Sequence, residues 1–477
     1  MDRKFLSIGM MAGTAVEKYR ILQKGCCETW IPMCDKVYLF CGKHYDFDFE
    51  GQMVNLTDKV EFVHFNDVGE NYESASPKFW RGLCWMMENC PAKWYAVFGS
   101  DNYVRYDRLV KTLEKFDGDM PLVIGGPMQY RCLKGHGVDY QIGFHIGGGG
   151  NYISHAALEM ILNKYNGDRE TQVGSLLDNW RDICLESNRP DLLPACDVTL
   201  CNEAWLLDIP LISINGFSPI NHNGVQTWKH NNCYFTHNKD NIIVCHNMSY
   251  YDLLSYHKEL GYVDDISEVA KEYIDQKYKE KKDTVSDINE HIPTLYEYTR
   301  GCKSVCEIGV RGICSTYSFL KGLAESATPE EPCKLYCVDI DKIDMSSVID
   351  LAKNVNVDLE FIQADSAKLI LPTKVSLCFI DSWHVGGHLR RELKGLHASV
   401  EKYICLHDVE VDGVCGESIR LGQNLVKMSE TSGYPIWEIA QGLQVAIDEF
   451  LEEHPEWVVE KRFTNNNGLL ILKRISE

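Results

Sequence analysis

Two apolar runs near residue 300 constrain this chain more than anything else in it. Ser304-Val305-Cys306-Glu307-Ile308-Gly309-Val310-Arg311-Gly312 reads as an apolar strand carrying an acid, followed by two glycines three apart. Leu335-Tyr336-Cys337-Val338-Asp339 is a second apolar strand, ending in Asp about 30 residues after the first glycine. That is the arithmetic of a doubly wound α/β sheet holding a nucleoside. Glycines admit the ligand close to the backbone, and the acid takes the ribose hydroxyls. The motif is Glu-x-Gly-x-x-Gly and lacks the three-glycine dinucleotide fingerprint, so the expected ligand carries no pyrophosphate. S-adenosylmethionine is the candidate.

At 477 residues the chain is long enough for two domains of ordinary size. A net charge of -21 argues against nucleic acid as a partner, because phosphates would be repelled. Twenty cysteines suggest a disulfide scaffold until their places are read. Cys306, Cys337, Cys378 and Cys405 sit inside apolar strand-like runs, where Cys acts as a small hydrophobe, and no Cys-x-x-Cys pair occurs. No apolar run reaches membrane-spanning length and no export signal is evident. No membrane insertion is expected, and the Asn55-Leu56-Thr57 and Asn247-Met248-Ser249 glycosylation patterns are read as chance. A reducing, cytoplasmic setting is expected.

The spacing predicts two α/β domains, 1–255 and 283–477. Between them, residues 256–282 form a linker helix whose Ile266, Val269, Ala270, Tyr273 and Ile274 share one side. In the second domain a third strand, Leu359 to Gln363, leads to Ala364-Asp365-Ser366. A fourth, Val375 to Ile380, ends at Asp381-Ser382-Trp383-His384, and a fifth, Tyr403 to Leu406, ends at His407-Asp408. Polar groups at carboxyl ends of strands mark the ligand edge of an open sheet. Near the end, Trp457–Phe463 and Leu469–Leu472 flank Asn465-Asn466-Asn467-Gly468, an Asn-Gly hairpin signal.

Those blocks together resemble class I S-adenosylmethionine-dependent methyltransferases over about residues 283–475. The nearest likeness is to sugar O-methyltransferases of large DNA viruses, akin to the cephalosporin-hydroxylase and macrocin methyltransferase group. The resemblance implies a Rossmann-like sheet with a terminal hairpin. It places Glu307, Gly309 and Gly312 at the methionine portion of the cofactor, Asp339 at the ribose, Asp365 and Ser366 at the adenine side, and Asp381 beside the sulfonium. In some relatives a divalent ion sits near the acceptor hydroxyl, which here matches Asp381 and Asp408. Methyl transfer needs an in-line acceptor oxygen and a base for its proton. His384 and His407 are the candidate bases, because imidazole titrates near working pH.

In the first domain, Trp94-Tyr95-Ala96-Val97-Phe98 stops at Gly99-Ser100-Asp101-Asn102, which places a lone acid at a strand end. Such an acid suits a hard divalent cation bound to phosphate oxygens. Gly147-Gly148-Gly149-Gly150 at a strand-to-helix junction leaves backbone open to a ligand. Cys196-Asp197-Val198-Thr199 and Gly216-Phe217-Ser218-Pro219-Ile220-Asn221-His222 follow.

This succession resembles the fringe and core-1 β1,3-galactosyltransferase superfamily of inverting GT-A glycosyltransferases, over about residues 1–235. The block Cys27-Glu28-Thr29-Trp30 matches its opening. By that resemblance Thr29, Asp101, Gly148 and Gly149 would meet the nucleotide sugar or its acceptor, and Asp197 would be the catalytic base. The family has consecutive acids at its metal site, whereas Gly99-Ser100-Asp101 keeps only the last. The departure leaves three readings: weaker metal binding, Mn²⁺ or Mg²⁺ held by Asp101 with His222, or a domain that binds sugar nucleotide without turnover. His230, His237 and His246 lie nearby in sequence.

The combined expectation is a bifunctional enzyme. It would transfer a sugar from a nucleotide-sugar donor, UDP-linked being the expected kind, to a glycan acceptor with inversion, and O-methylate a sugar hydroxyl. Tethering raises the effective concentration of one product at the next site. Glycan building in cytoplasm, host cytoplasm for a viral protein, fits that reading. The alternatives are a glycan-binding module fused to one working methyltransferase, and a methyltransferase acting on protein or small metabolites.

Overall fold

The computed structural model describes residues 3–43, 46–224, 226–230 and 233–476. The chain divides into two compact units, Met1–Asp264 and Asp265–Glu477. The segment read as a connecting helix is split between them. Helix Tyr250–Glu259 belongs to the first unit, and helix Ser267–Asp283 packs on helix Thr316–Ala324 of the second. Among the described residues no helix is long and apolar enough to cross a membrane. Each cysteine whose side chain is described is a free thiol, most of them buried.

The first unit is built on a seven-stranded sheet. Its strands run, in spatial order, Leu211–Ser213, Val123–Gly125, Asn151–Ser154, Ala92–Phe98, Lys4–Met11, Val37–Cys41 and Val60–His64. Asn151–Ser154 is antiparallel to both neighbours and the other pairings are parallel. Period-two alternation explains why both faces are covered. Trp94, Ala96 and Phe98 enter one core cluster with Val37, Leu39 and Cys41, while Tyr95, Val97, Tyr38 and Phe40 enter the other. The second core is closed by helices Ala75–Asn89 and Arg169–Glu186, through Phe79, Trp80, Leu83, Val173 and Leu176. A separate hairpin, Met128–Gly135 with Val138–His145, leads into the glycine run.

The second unit has its own seven-stranded sheet, in the order Val357–Gln363, Cys333–Asp339, Ser304–Ile308, Val375–Ile380, Val400–His407, Leu469–Arg474, Trp457–Phe463. Only Leu469–Arg474 runs antiparallel to its neighbours. The hairpin expected around Asn465 to Gly468 is therefore present, with Asn466, Asn467 and Gly468 all at positive φ. In chain order the strands lie 3-2-1-4-5-7-6, which is the Rossmann-like sheet with a terminal hairpin expected for this part of the chain.

Both sheets reverse strand order beside their first strand, so the loops leaving Met11 and Phe98, and those leaving Ile308 and Ile380, diverge and open a crevice. In the second unit the crevice depends on Gly309. Its φ is +88°, and a Cβ there would overlap the carbonyl of Asp381. Gly309→Ala is expected to destabilise the second unit by at least about 2 kcal/mol, since left-handed backbone alone costs a non-glycine residue about 1–2 kcal/mol. Urea unfolding measures it, and an unchanged midpoint would mean that the Asp381 carbonyl yields freely.

Candidate active sites

In the first unit the diverging loops enclose a cleft of about 420 Å³. Its walls bring together Asp101, Gly147, Gly148 and Asp197, which lie far apart in sequence. The glycine run makes this possible by close approach. A Cβ on Gly147 would stand 2.5 Å from the Asp197 Cβ, and one on Gly148 would stand 2.5 Å from His246 Nδ1. Gly149 sits behind them, against the backbone of Phe217. The Gly148 carbonyl accepts from Asn102 Nδ2 at 2.6 Å, tying the run to the loop that carries Asp101.

Asp197 stands in the first turn of helix Cys196–Leu206 and accepts from the Gly147 amide at 3.0 Å. Burial pushes its carboxyl above the usual range, against the lowering effect of the Val198 and Gly147 amides. Asp101 meets His246, with Oδ2 3.2 Å from Nε2. Burial alone would raise Asp101, but the hydrogen bond and charge of His246 outweigh it and hold the carboxyl low, while the same pair holds His246 high.

Two expected residues lie elsewhere. Thr29 is 1% exposed and donates to the Gly25 carbonyl at 2.7 Å, so its hydroxyl is spent closing helix Glu17–Glu28. His222 is fully buried against the Tyr256 ring, 3.8 Å from Glu259, and is not among the cleft residues. The imidazole beside Asp101 is His246. Reasoning along the sequence also missed the loop after the first strand, where Ala12, Gly13, Lys18 and Tyr19 line the cleft. Its floor is the buried pair Lys78 and Glu70, 2.9 Å apart, with Lys78 also donating to the Ala12 carbonyl at 2.5 Å. A Gly-Thr turn directly after an apolar first strand was the available signal.

In the second unit Glu307 is fully buried and accepts from Ser315 Oγ at 2.5 Å and Thr316 Oγ1 at 2.7 Å. Burial pushes its carboxyl up to about 7 in spite of those bonds. Asp339 Oδ2 accepts from the Val310 and Arg311 amides, both at 3.0 Å, so the glycine loop is pinned to the second strand. A Cβ on Gly312 would meet only Cys314 Sγ, at 3.6 Å, leaving the loop's outer side open. Asp365 caps the turn Ser366–Lys368, and Ser366 Oγ lies 3.1 Å from His388 Nε2.

The ends of the fourth and fifth strands converge on His384. Its Nε2 is 3.2 Å from Asp381 Oδ1, and its Nδ1 is 2.9 Å from Asp408, 3.5 Å from Asp412 and 3.7 Å from Glu417. Burial would lower this imidazole, yet Asp381, Asp408 and Asp412 outweigh it and raise His384 well above its ordinary value. His407 is 2% exposed, with Nδ1 3.0 Å from Asp381 and Nε2 3.3 Å from the Asn466 carbonyl. With both ring nitrogens engaged, His407 holds Asp381 in place. Asp381 itself is held low by the two imidazoles, overcoming its burial. Asp381, His384 and Asp408 offer three ligand atoms within 4.8 Å of one another. Asp408 Oδ1 is buried without a hydrogen-bond partner among the described residues, an oxygen that suits a cation. Asp412 and Glu417 were not singled out from sequence, although the acid-rich run after Asp408 announces them. Arg420 grips Asp412 through two bonds of 2.6 and 2.8 Å.

Residues 58–217 match the family model described as Fringe-like, a span that holds Asp101, the glycine run and Asp197. No curated protein matches the chain. Among solved structures, a putative O-methyltransferase from Klebsiella pneumoniae is 15% identical, with 43% of this chain and 90% of that one covered and a TM-score of 0.27. The O-methyltransferase from Bacillus cereus in complex with SAH is 13% identical, covering 46% and 96%, with a TM-score of 0.27. The N-methyltransferase NodS from Bradyrhizobium japonicum WM9 with S-adenosylhomocysteine is 10% identical, covering 43% and 99%, with a TM-score of 0.29. The Fringe-like likeness thus falls wholly within the first unit, and the second unit is described by its own 3-2-1-4-5-7-6 strand order.

Glu307 gives a pH signature. Folded Glu307 keeps its proton to about pH 7, whereas an unfolded glutamate ionises at about 4.3. Between those values the folded state binds more protons, so stability falls as pH rises. The second unit is expected to lose up to about 3 kcal/mol across that window relative to Glu307→Gln. Parallel denaturation curves at each pH would test this, and equal slopes would refute it.

Proposed function

We propose that the chain is a bifunctional glycan-modifying transferase. The first unit transfers a sugar from a nucleotide-sugar donor to a carbohydrate hydroxyl with inversion. The second methylates a sugar hydroxyl with S-adenosylmethionine. The observation that carries the reading is that each unit gathers its chemistry-bearing residues at the crevice where its strand order reverses.

In the first cleft, Asp197 is the base. A carboxylate raised by burial accepts the acceptor's proton more readily than a solvated one, and the Gly147 amide fixes its orientation. Asp101 and His246 would hold a divalent cation, Mn²⁺ rather than Mg²⁺ because one of the two ligands is an imidazole nitrogen. Their carboxylate oxygen and imidazole nitrogen, 3.2 Å apart, are spaced as neighbouring ligands of one ion. The metal would neutralise charge on the departing nucleoside diphosphate. Asp197→Asn should lower sugar transfer about 10²–10⁴-fold, measured as nucleoside diphosphate released from a panel of nucleotide sugars with Mn²⁺. Tight donor binding without release in the unaltered protein would favour the sugar-binding module instead, a reading motivated by the single acid in Gly99-Ser100-Asp101.

In the second crevice, Gly309, Gly312 and Asp339 form the cradle for the cofactor, and Glu307 holds the loop between them. The open side at Gly312 and the ordered carboxylate of Asp339 fit a nucleoside with hydroxyls to share. S-adenosylmethionine supplies an electrophilic methyl group when bound. His384 takes the proton of the sugar hydroxyl, and Asp381, Asp408 and Asp412 stabilise the imidazolium that results. Asp381 and Asp408 would alternatively hold a divalent cation, for which the unpartnered Asp408 Oδ1 provides a place, and that ion would then stand in for the positive charge of the imidazolium.

Because the carboxylates raise His384, methyl transfer assayed without added divalent cation should increase with pH as its proton is lost, along a limb lying above an ordinary histidine's. Removing one negative charge with Asp412→Asn should move that limb toward lower pH. The kcat/KM profile of S-adenosylhomocysteine formation on a sugar acceptor reads it. A profile unchanged by the substitution would remove His384 from the role, and product formation without carbohydrate would overturn the substrate class.

A further inference from the structure

A further cluster of ligand-type side chains in the second unit lies away from that unit's crevice and takes no part in either proposed reaction. His397 opens the short turn His397–Ser399, which follows helix Gly386–Leu396. His454 closes helix Leu443–Glu453, and Glu456 directly precedes strand Trp457–Phe463. Strands Val400–His407 and Trp457–Phe463 both begin here. The cluster therefore occupies the amino edge of the sheet, whereas Asp381 and Asp408 stand at the carboxyl edge.

The three side chains come from three elements, yet offer ligand atoms all within 4.8 Å of one another. Glu456 Oε1 is 3.1 Å from His454 Nδ1 and 3.8 Å from His397 Nδ1, and the two imidazole centroids are 4.0 Å apart. Donors on bonds of about 2.1 Å at tetrahedral or octahedral angles stand roughly 3–3.4 Å apart, so only small side-chain adjustments are needed.

A second observation points the same way. His397 Nδ1 is buried with no hydrogen-bond partner among the described residues, since 3.8 Å to Glu456 is too long for such a bond. An orphaned ring nitrogen facing a carboxylate is costly unless something sits between them. Arg474 is engaged with the Val400 carbonyl at 2.9 Å and with the face of Trp457. The rings rest on Phe450, with side-chain exposures of 17% for His397, 25% for His454 and 22% for Glu456, which leave an approach for an ion and water.

We propose that His397, His454 and Glu456 form a binding site for a divalent transition metal of the zinc type, which ties the ends of two helices to the start of the hairpin. Two imidazole nitrogens and one carboxylate oxygen suit zinc, nickel or copper, whereas magnesium and calcium prefer all-oxygen sets. An ion bound only by the folded state raises thermal stability by mass action.

The test is a titration of the full chain with Zn²⁺ against a chromophoric chelator, paired with thermal unfolding. His397→Ala/His454→Ala should bind one zinc fewer than the unaltered protein and lose the zinc-dependent rise in Tm. Excess Mg²⁺ should displace none of it. Glu456→Gln keeps both imidazoles and guards against misfolding in the double variant. It should weaken zinc binding about 10-fold or more, by loss of one ligand. The difference from the unaltered chain isolates this cluster from other zinc-capable groups. Equal zinc stoichiometry and affinity in all three proteins would overturn the proposal, as would a Tm rise that survives in both variants.

Discussion

When two adjacent parallel strands send their following loops to opposite faces of a sheet, the backbone must part, and nothing but side chains and glycine turns can line the gap. That divergence happens twice in this chain, between Lys4–Met11 and Ala92–Phe98 and again between Ser304–Ile308 and Val375–Ile380. In each unit a glycine lets the opposite wall approach more closely than a Cβ permits. Gly147 seats Asp197, and Gly309 receives the carbonyl of Asp381. The acids so delivered are the groups to which chemistry is assigned, so sheet order and site are one constraint.

Charge is handled in the two crevices by similar means. Asp101 pairs with His246, and Asp381 with His384 and His407, so each strand-end acid meets an imidazole. A histidine beside a carboxylate can be a proton carrier or, with the carboxylate, a metal ligand, and the local balance decides which. Around His384 acids outnumber the imidazole, which favours holding positive charge. At the floor of the first cleft the balance differs. Lys78 is matched by Glu70, leaving Lys18 on the wall beside Asp101.

Much of the second unit is legible in its sequence because its strands are apolar runs that end in polar residues, and Asn465 to Gly468 can hardly be other than a hairpin turn. Glu307, Asp339 and Asp381 stand where those runs put them. The first unit is harder to read. Its cleft is assembled from the Gly13 loop, Asp101, the glycine run, Asp197 and His246, whose approach depends on long-range pairing that no local pattern encodes. His246 rather than His222 reaches Asp101 through long-range backbone pairing, with the His246 amide on the Ile220 carbonyl and the Met248 amide on the Asp101 carbonyl, both at 3.1 Å. Thr29 misled because a hydroxyl in a matching block is as useful for finishing a helix as for holding a sugar.

The terminal hairpin also does more than flank the sheet. The carbonyls of Asn465 and Asn466 lie 3.0 and 3.1 Å from His291, Asn466 also meets His407, and its side chain accepts from the Glu290 amide. The wall behind Asp381 is thus completed by residues synthesised more than 80 positions later. During translation the first unit can reach its native state on the ribosome, while the second stays unfinished until the hairpin has emerged. Newly made chains would pass through an interval in which one half is mature and the other is not.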